Sequence, residues 1–199
     1  MDKSAFTSIF GECAPIVAGA AEVLKRREDY DEWPELMKAR LWTCGPRTGE
    51  SAPHDHDWMA LAEDLQLARE LTMQMAGVKL ASDTDCPFSP FVYHQAPPGE
   101  LADVLFDALQ PRDDAELGVD PVLEGEVVFW DEEVNEEPEE FLDDEEIARY
   151  RATSDRMKAE LTDLTRLGFT EADTIYPLFY VGRARSGSIV GLWTARVDT

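Results

Sequence analysis

Basic residues are scarce in this chain: 18 Lys and Arg stand against 42 Asp and Glu in 199 residues, a formal net charge of -24. A surface of that sign repels phosphate, which argues against direct binding to nucleic acid or to an anionic membrane. Cysteine is nearly missing as well. Cys13, Cys44 and Cys86 are odd in number and have no metal-ligand spacing, so they read as reduced thiols rather than a disulfide framework or a zinc site. No apolar run approaches the length of a membrane span. Residues 1–23 lack a basic leading region and are interrupted by Glu12, which makes a poor secretory signal. The expectation is a cytoplasmic protein with no cofactor and no metal of its own.

What the chain does contain is enough apolar material for one core. Hydrophobic residues make up 44% and aromatics 10%, too much for a wholly disordered chain, and the length suits one domain with an appendage. The acids are concentrated. Between Arg112 and Arg149 there are seventeen acidic residues and no Lys or Arg. Such a tract is either a solvated loop kept for solubility or a surface steered onto a basic partner, and basic clefts are common in proteins that bind nucleic acid.

Charge also divides the chain. Residues 1–58 hold 7 basic and 11 acidic groups, and the remainder holds 11 and 31. The run Gly45-Pro46-Arg47-Thr48-Gly49 through Pro53 has the composition of a connector. Before it, Ile16, Val17, Ala20, Val23 and Leu24 repeat at helical spacing, as do Trp33, Leu36, Met37 and Leu41. Pro34 fits a first helical turn. Residues 1–56 therefore read as a helical extension with its linker, and 57–199 as the main domain.

Within that domain the spacing predicts a helix over 57–75 stopped by Gly77, a strand over 78–82 and another over 91–95. Leu101, Val104, Leu105 and Leu109 make a second helix after the Pro97-Pro98-Gly99 breaker. Val127 to Trp130 reads as a third strand inside the acidic tract. The longest helix opens on Asp143-Asp144-Glu145-Glu146, acids that the helix dipole favours. It is expected to run through Ile147, Tyr150, Met157, Leu161 and Leu164, with Ser154 interrupting the stripe, and to stop at Gly168. Ile175–Val181 and Ile189–Val197 form a hairpin around Gly187. Both alternating sets of the first hairpin strand are apolar, so it is covered on two sides. The fold class is α+β: a three-layer α/β/α sandwich with a small, largely antiparallel sheet and an N-terminal helical appendage.

Several segments carry bland and functional readings side by side. Asp83 and Asp85, flanking Thr84, suit a turn that hydrogen-bonds its own backbone. Thr199, as the last residue of the sequence, reads by default as a frayed terminus. Trp130 and Trp193 fit core packing better than interface anchoring. His54-Asp55-His56-Asp57 invites a weak metal site, but Asp55 or Asp57 is better explained as a helix N-cap. The glycines from Gly182 to Gly191 are not a phosphate loop, since no Lys-Ser/Thr follows them. Ser186, His94 and Asp198 show no nucleophile elbow, and nothing assigns a reaction, so no enzyme is expected.

The run from Leu178 to Thr199, through Gly182, Gly187, Gly191, Trp193 and Thr194, resembles the terminal hairpin of the nuclease A inhibitor family. Ser82-Asp83-Thr84-Asp85-Cys86-Pro87-Phe88 is similar to that family's acidic, Ser-bearing turn before Pro-Phe and a strand. Phe141-Leu142-Asp143-Asp144-Glu145-Glu146 is similar to its aromatic-plus-acid helix start. Together these cover roughly 60–199. The resemblance implies an acidic inhibitor of a sugar-nonspecific, metal-dependent nuclease, of immunity-protein or antitoxin type, that plugs the enzyme's basic cleft by phosphate mimicry. It further implies partner contacts at Asp83, Thr84, Asp85, Phe141, Asp198 and Thr199, with the Thr199 carboxylate approaching the partner's metal. Asp83 stands where the family has a longer Glu, and Phe141 where an indole is expected. The alternative is an acidic module that binds another basic, nucleic-acid-binding protein with no metal contact.

Overall fold

The computed structural model describes residues 25, 31, 58–80, 86–109, 116–130, 138–140, 142–170 and 175–197. The two helical patterns expected before residue 45 and the His54–Asp57 run lie outside the described residues, apart from Lys25 and Asp31. In chain order the elements are α1 (Trp58–Gln74), β1 (Lys79–Leu80), β2 (Cys86–Pro87), β3 (Ser89–Tyr93), α2 (Leu101–Leu109), β4 (Glu116–Pro121), α3 (Asp144–Glu160), β5 (Thr162–Thr170), β6 (Ile175–Arg183) and β7 (Ile189–Val197). A short 3-10 turn, Pro138–Glu140, precedes α3.

Five strands form one antiparallel sheet in the order β3-β7-β6-β5-β4, and β1 and β2 pair separately as a two-residue ladder. Helices cover both faces. On one, Leu101, Val104, Leu105 and Leu109 of α2 pack with Phe91, Phe179, Val181 and Trp193. On the other, Leu65, Ala68 and Leu71 of α1, Met75 just beyond it, and Ile147, Tyr150 and Met157 of α3 pack with Val92, Tyr180, Val190 and Leu192. Period-two alternation puts Phe179 and Val181 on one face and Tyr180 on the other, so β6 is apolar on both sides because both sides are buried. At the β6–β7 crossing, a Cβ on Gly191 would stand 2.1 Å from the Tyr180 carbonyl oxygen, so only glycine fits there.

The sequence reading errs in three places. Val127 to Trp130 is buried but is not a strand. It forms a turn, with Trp130 N–H donating to the Val127 carbonyl at 3.1 Å. This apolar plug is held beneath α3, where the Ser154 hydroxyl accepts from Val128 N–H at 3.1 Å. The polar break in the α3 stripe thus satisfies a buried backbone donor. Both tryptophans are core residues, Trp130 at 4% exposure and Trp193 at 0%.

The second error is the end of α3, which stops at Glu160, with Leu161 already extended at φ -122 and ψ 150. Residues 162–170 form β5, a strand the sequence reading merged into the helix. The cause is a bulge. Register shifts between Thr162 and Thr165, and Asp163 sits at φ 53. The extra residue gives Leu161 and Leu164 the spacing of a helical stripe and hides the period of two. Strand β4 was also missed, because Glu116-Leu-Gly-Val-Asp-Pro121 lies in the acidic tract and has little apolar content. Charge and proline are what an edge strand carries.

Candidate functional site

The six residues singled out from the sequence, Asp83, Thr84, Asp85, Phe141, Asp198 and Thr199, lie outside the described residues. The segments that flank them are described, and those segments meet at one end of the domain.

The acidic turn is bounded by the β1–β2 ladder, in which Lys79 pairs with Pro87 and Leu80 with Cys86. The sequence sets this up: Gly77, at φ 84, ends α1 in the left-handed region that glycine occupies at least cost, and Val78 turns inward at 2% exposure. Cys86 and Phe88 are buried at 0% and 2%. The Thr194 hydroxyl donates to the Pro87 carbonyl at 3.0 Å, and one step on Ser89 pairs with Trp193. The base of the turn is therefore fastened to the later half of β7.

That half of β7 leads to the end of the sequence. Its last described residue, Val197, pairs with Ile175, the first of β6. Thr194 and Ala195 are fully buried, so the strand is fixed in the sheet up to its final residues.

The third flank is the start of α3. Asp143 caps it, accepting from the Glu145 and Glu146 amides at 2.9 Å each, while Glu146 accepts from the Asp143 amide at 3.2 Å. This reciprocal arrangement satisfies orphan donors at the helix start. Leu142 N–H donates to the Pro138 carbonyl at 3.0 Å. Arg149 then joins α3 to the end of α1, donating to the Ala76 carbonyl at 2.7 Å. Further along, Arg156 pairs with Glu70 at 3.0 Å, so α1 and α3 run antiparallel. The start of α3, the end of α1 and the end of β7 consequently share one pole. Thr194 and Arg149, which assemble this pole, were not singled out from the sequence. The available signal was a hydroxyl in an otherwise apolar strand and an arginine beside an apolar stripe.

One deeply packed group behind this pole has an altered acidity. Burial, with the Glu146 carboxylate adding to it, pushes the Tyr150 hydroxyl well above the ordinary tyrosine value. Its ring stacks edge-on with Phe88 and Trp130 at 6.2 and 5.9 Å.

The opposite pole holds a Ser, His and Asp cluster that invites an enzymatic reading. Ser186 donates to both carboxylate oxygens of Asp64, at 2.9 and 3.0 Å. The Nδ1 of His94 lies 3.2 Å from the Ser188 hydroxyl and 3.5 Å from Asp64. A hydrolytic triad needs the acid and the nucleophile on different ring nitrogens. Here both address Nδ1, and Ser188 is fully buried. The cluster fastens the β6–β7 turn to α1 and offers no nucleophile.

Among the described residues no group of three or more His, Cys, Asp or Glu is arranged to hold a metal ion. No described helix is long and apolar enough to cross a membrane. Comparison with family models matches residues 65–199 to a family described as nuclease A inhibitor-like protein. That segment starts within α1 and takes in every later element. No curated protein matches the chain.

Proposed function

This chain belongs to the nuclease A inhibitor-like family, and from that membership we propose that it binds and blocks a metal-dependent, sugar-nonspecific nuclease, as an immunity protein or antitoxin, with no catalytic activity of its own. Its formal charge of -24 would steer it onto the basic cleft of such an enzyme, where a folded acidic surface imitates the charge of phosphates without being cleavable. The acidic turn 81–85 would enter the cleft, with Asp83 reaching the groups that hold the scissile phosphate. The Asp198-Thr199 segment would approach the enzyme's metal, since hard divalent ions take oxygen ligands. Phe141 would pack at the rim.

The observation that carries this reading is the pole itself: the flanks of all three segments converge there, and each is fastened by named contacts, Thr194 to Pro87, Val197 to Ile175 and the Asp143 capping box. A contact surface that is rigid before binding loses less entropy on association. Binding of this acidic surface to another basic, nucleic-acid-binding protein without metal contact needs charge but no such convergence, and so ranks behind.

The test is titration against a panel of metal-dependent nonspecific nucleases, with activity on plasmid DNA as the readout. The expected result is stoichiometric inhibition of at least one of them. Tight binding of duplex DNA by the protein alone, or nuclease activity in the purified chain, would sink the proposal.

A further inference from the structure

Helix α1 ends at the pole from which the acidic turn departs, and its last turn holds no basic residue. Lys or Arg there would answer the partial negative charge of the final carbonyls. Met73 and Gln74 stand in their place, and Met73 is 54% exposed. Just past the helix Ala76 and Gly77 are exposed as well, while Met75 and Val78 turn into the core. The Ala76 N–H donates back to the Met73 carbonyl at 3.2 Å, so Met73, Ala76 and Gly77 make one turn of apolar surface. The cation that reaches this end comes from α3: Arg149 donates through Nη1 to the Ala76 carbonyl and through Nη2 to Glu145. Asp143, Asp144 and Glu145, all exposed, stand at the adjoining start of α3.

We propose that this end of α1 is part of the contact with the nuclease, with Met73 and Ala76 receiving the methylene stem of a Lys or Arg at the edge of the enzyme's cleft. The inference rests on the inhibitor reading and adds an apolar contact to its acidic ones. Three observations point to that occupant. Lys and Arg lay their stems along apolar surface and keep their heads among polar groups, and here the head would meet the carboxylates at the start of α3. An unbranched, polarisable thioether adapts its shape to such a stem. An apolar centre ringed by charged groups is also how protein interfaces are built. Charge disfavours a second copy of this chain as the occupant, since two molecules of net charge -24 repel each other.

The two kinds of contact then divide the work. The carboxylates speed arrival, whereas an uncharged side chain cannot steer and acts by slowing departure. The helix supplies its own control. Met59, 67% exposed, stands near the start of α1, roughly 20 Å along the axis from Met73 and away from the pole. The same residue type on the same helix, at similar exposure, is expected to take no part in the contact.

Titration of the native full chain against the nuclease panel selects an inhibited enzyme, and Met73→Ala is then compared with Met59→Ala against it. Alanine is the best helix former, so both variants should melt as the native chain does. Met73→Ala is expected to raise Kd about tenfold through faster dissociation, and Met59→Ala to leave it unchanged. Oxidation by dilute peroxide, read by mass spectrometry, gives an independent measure. Bound nuclease should slow formation of the Met73 sulfoxide and leave that of Met59 as it is in the free chain. Equal Kd for the native chain and Met73→Ala, or Met73 oxidised at one rate free and bound, would overturn the inference while inhibition by the native chain stands. A native chain that inhibits no enzyme of the panel would overturn the inhibitor reading and this contact with it.

Discussion

The hydroxyl of Thr194 donates to the carbonyl of Pro87 across 3.0 Å, tying strand β7 to the foot of the acidic turn. Thr194 is fully buried, so Thr194→Val keeps the shape while leaving that carbonyl without its hydroxyl donor. Denaturant unfolding should show a loss of about 1–3 kcal/mol. Nuclease inhibition should weaken at temperatures where the variant is still folded, because the turn is less firmly seated. A variant as stable and as inhibitory as the native chain would show that this contact positions nothing.

Asp83→Ala and, separately, a short extension appended after Thr199 probe the proposed contacts directly. Each should leave the melting temperature nearly unchanged. Each should raise Kd about ten- to a hundredfold, the equivalent of losing a charge-assisted hydrogen bond worth about 1.5–3 kcal/mol. If the extended chain inhibits as well as the native one, contact with the metal is wrong and only charge mimicry is left.

The acidic tract is expected to act on rate. Changing Glu136, Glu137, Glu139 and Glu140 together to Gln should lower the association rate constant with little change in dissociation. Raising salt should do the same, since the screening length is about 8 Å near physiological ionic strength. Stopped-flow association rates that stay flat across salt and in the variant would identify the tract as a solubility device.

Tyr150 sets an alkaline limit. Its hydroxyl is held protonated in the folded state by burial and by Glu146, while in the unfolded chain it ionises near the ordinary value of 10.0. Above that pH the unfolded state binds fewer protons than the native state, so stability present below about pH 10 falls as pH rises further. Tyr150→Phe should flatten that fall in urea titrations between about pH 9.5 and 11. An unchanged slope would show that Tyr150 does not control alkaline unfolding.

Removal of residues 1–56 separates the two parts of the chain. The remaining 57–199 should fold and inhibit, with lower stability and weaker binding. Complete loss of inhibition in a well-folded truncated protein would put the active surface in the wrong half.

Much of this architecture is legible in the residues themselves. Helices α1 and α2 announce themselves by apolar spacing and by Gly77 and the Pro97-Pro98-Gly99 breaker. The β6–β7 hairpin does so by two apolar strands around Gly187. Local pattern fails where tertiary packing overrides it. The bulge at Asp163 disguises β5 as helix, acidity hides the edge strand β4, and burial of Val127–Trp130 needs no ladder once Ser154 receives a backbone donor. The pole is less legible than the fold. Asp83 and Thr199 are reached only through family resemblance, while Thr194 and Arg149 act across separations of 107 and 73 residues, which no window along the sequence can span.

Strand β7 is the last described element to be made, yet it lies between β3 and β6. During synthesis, β3 therefore waits for a neighbour until Ile189–Val197 has left the ribosome, and both apolar clusters lack Trp193 or Leu192 until then. Strands β4, β5 and β6 can pair with one another as the chain emerges, but β3 joins the sheet only in a late step, over contacts with β7 that are distant in sequence and slow to form. A chain interrupted before Ile189 is therefore expected to be a substrate for proteases rather than an inhibitor of partial strength.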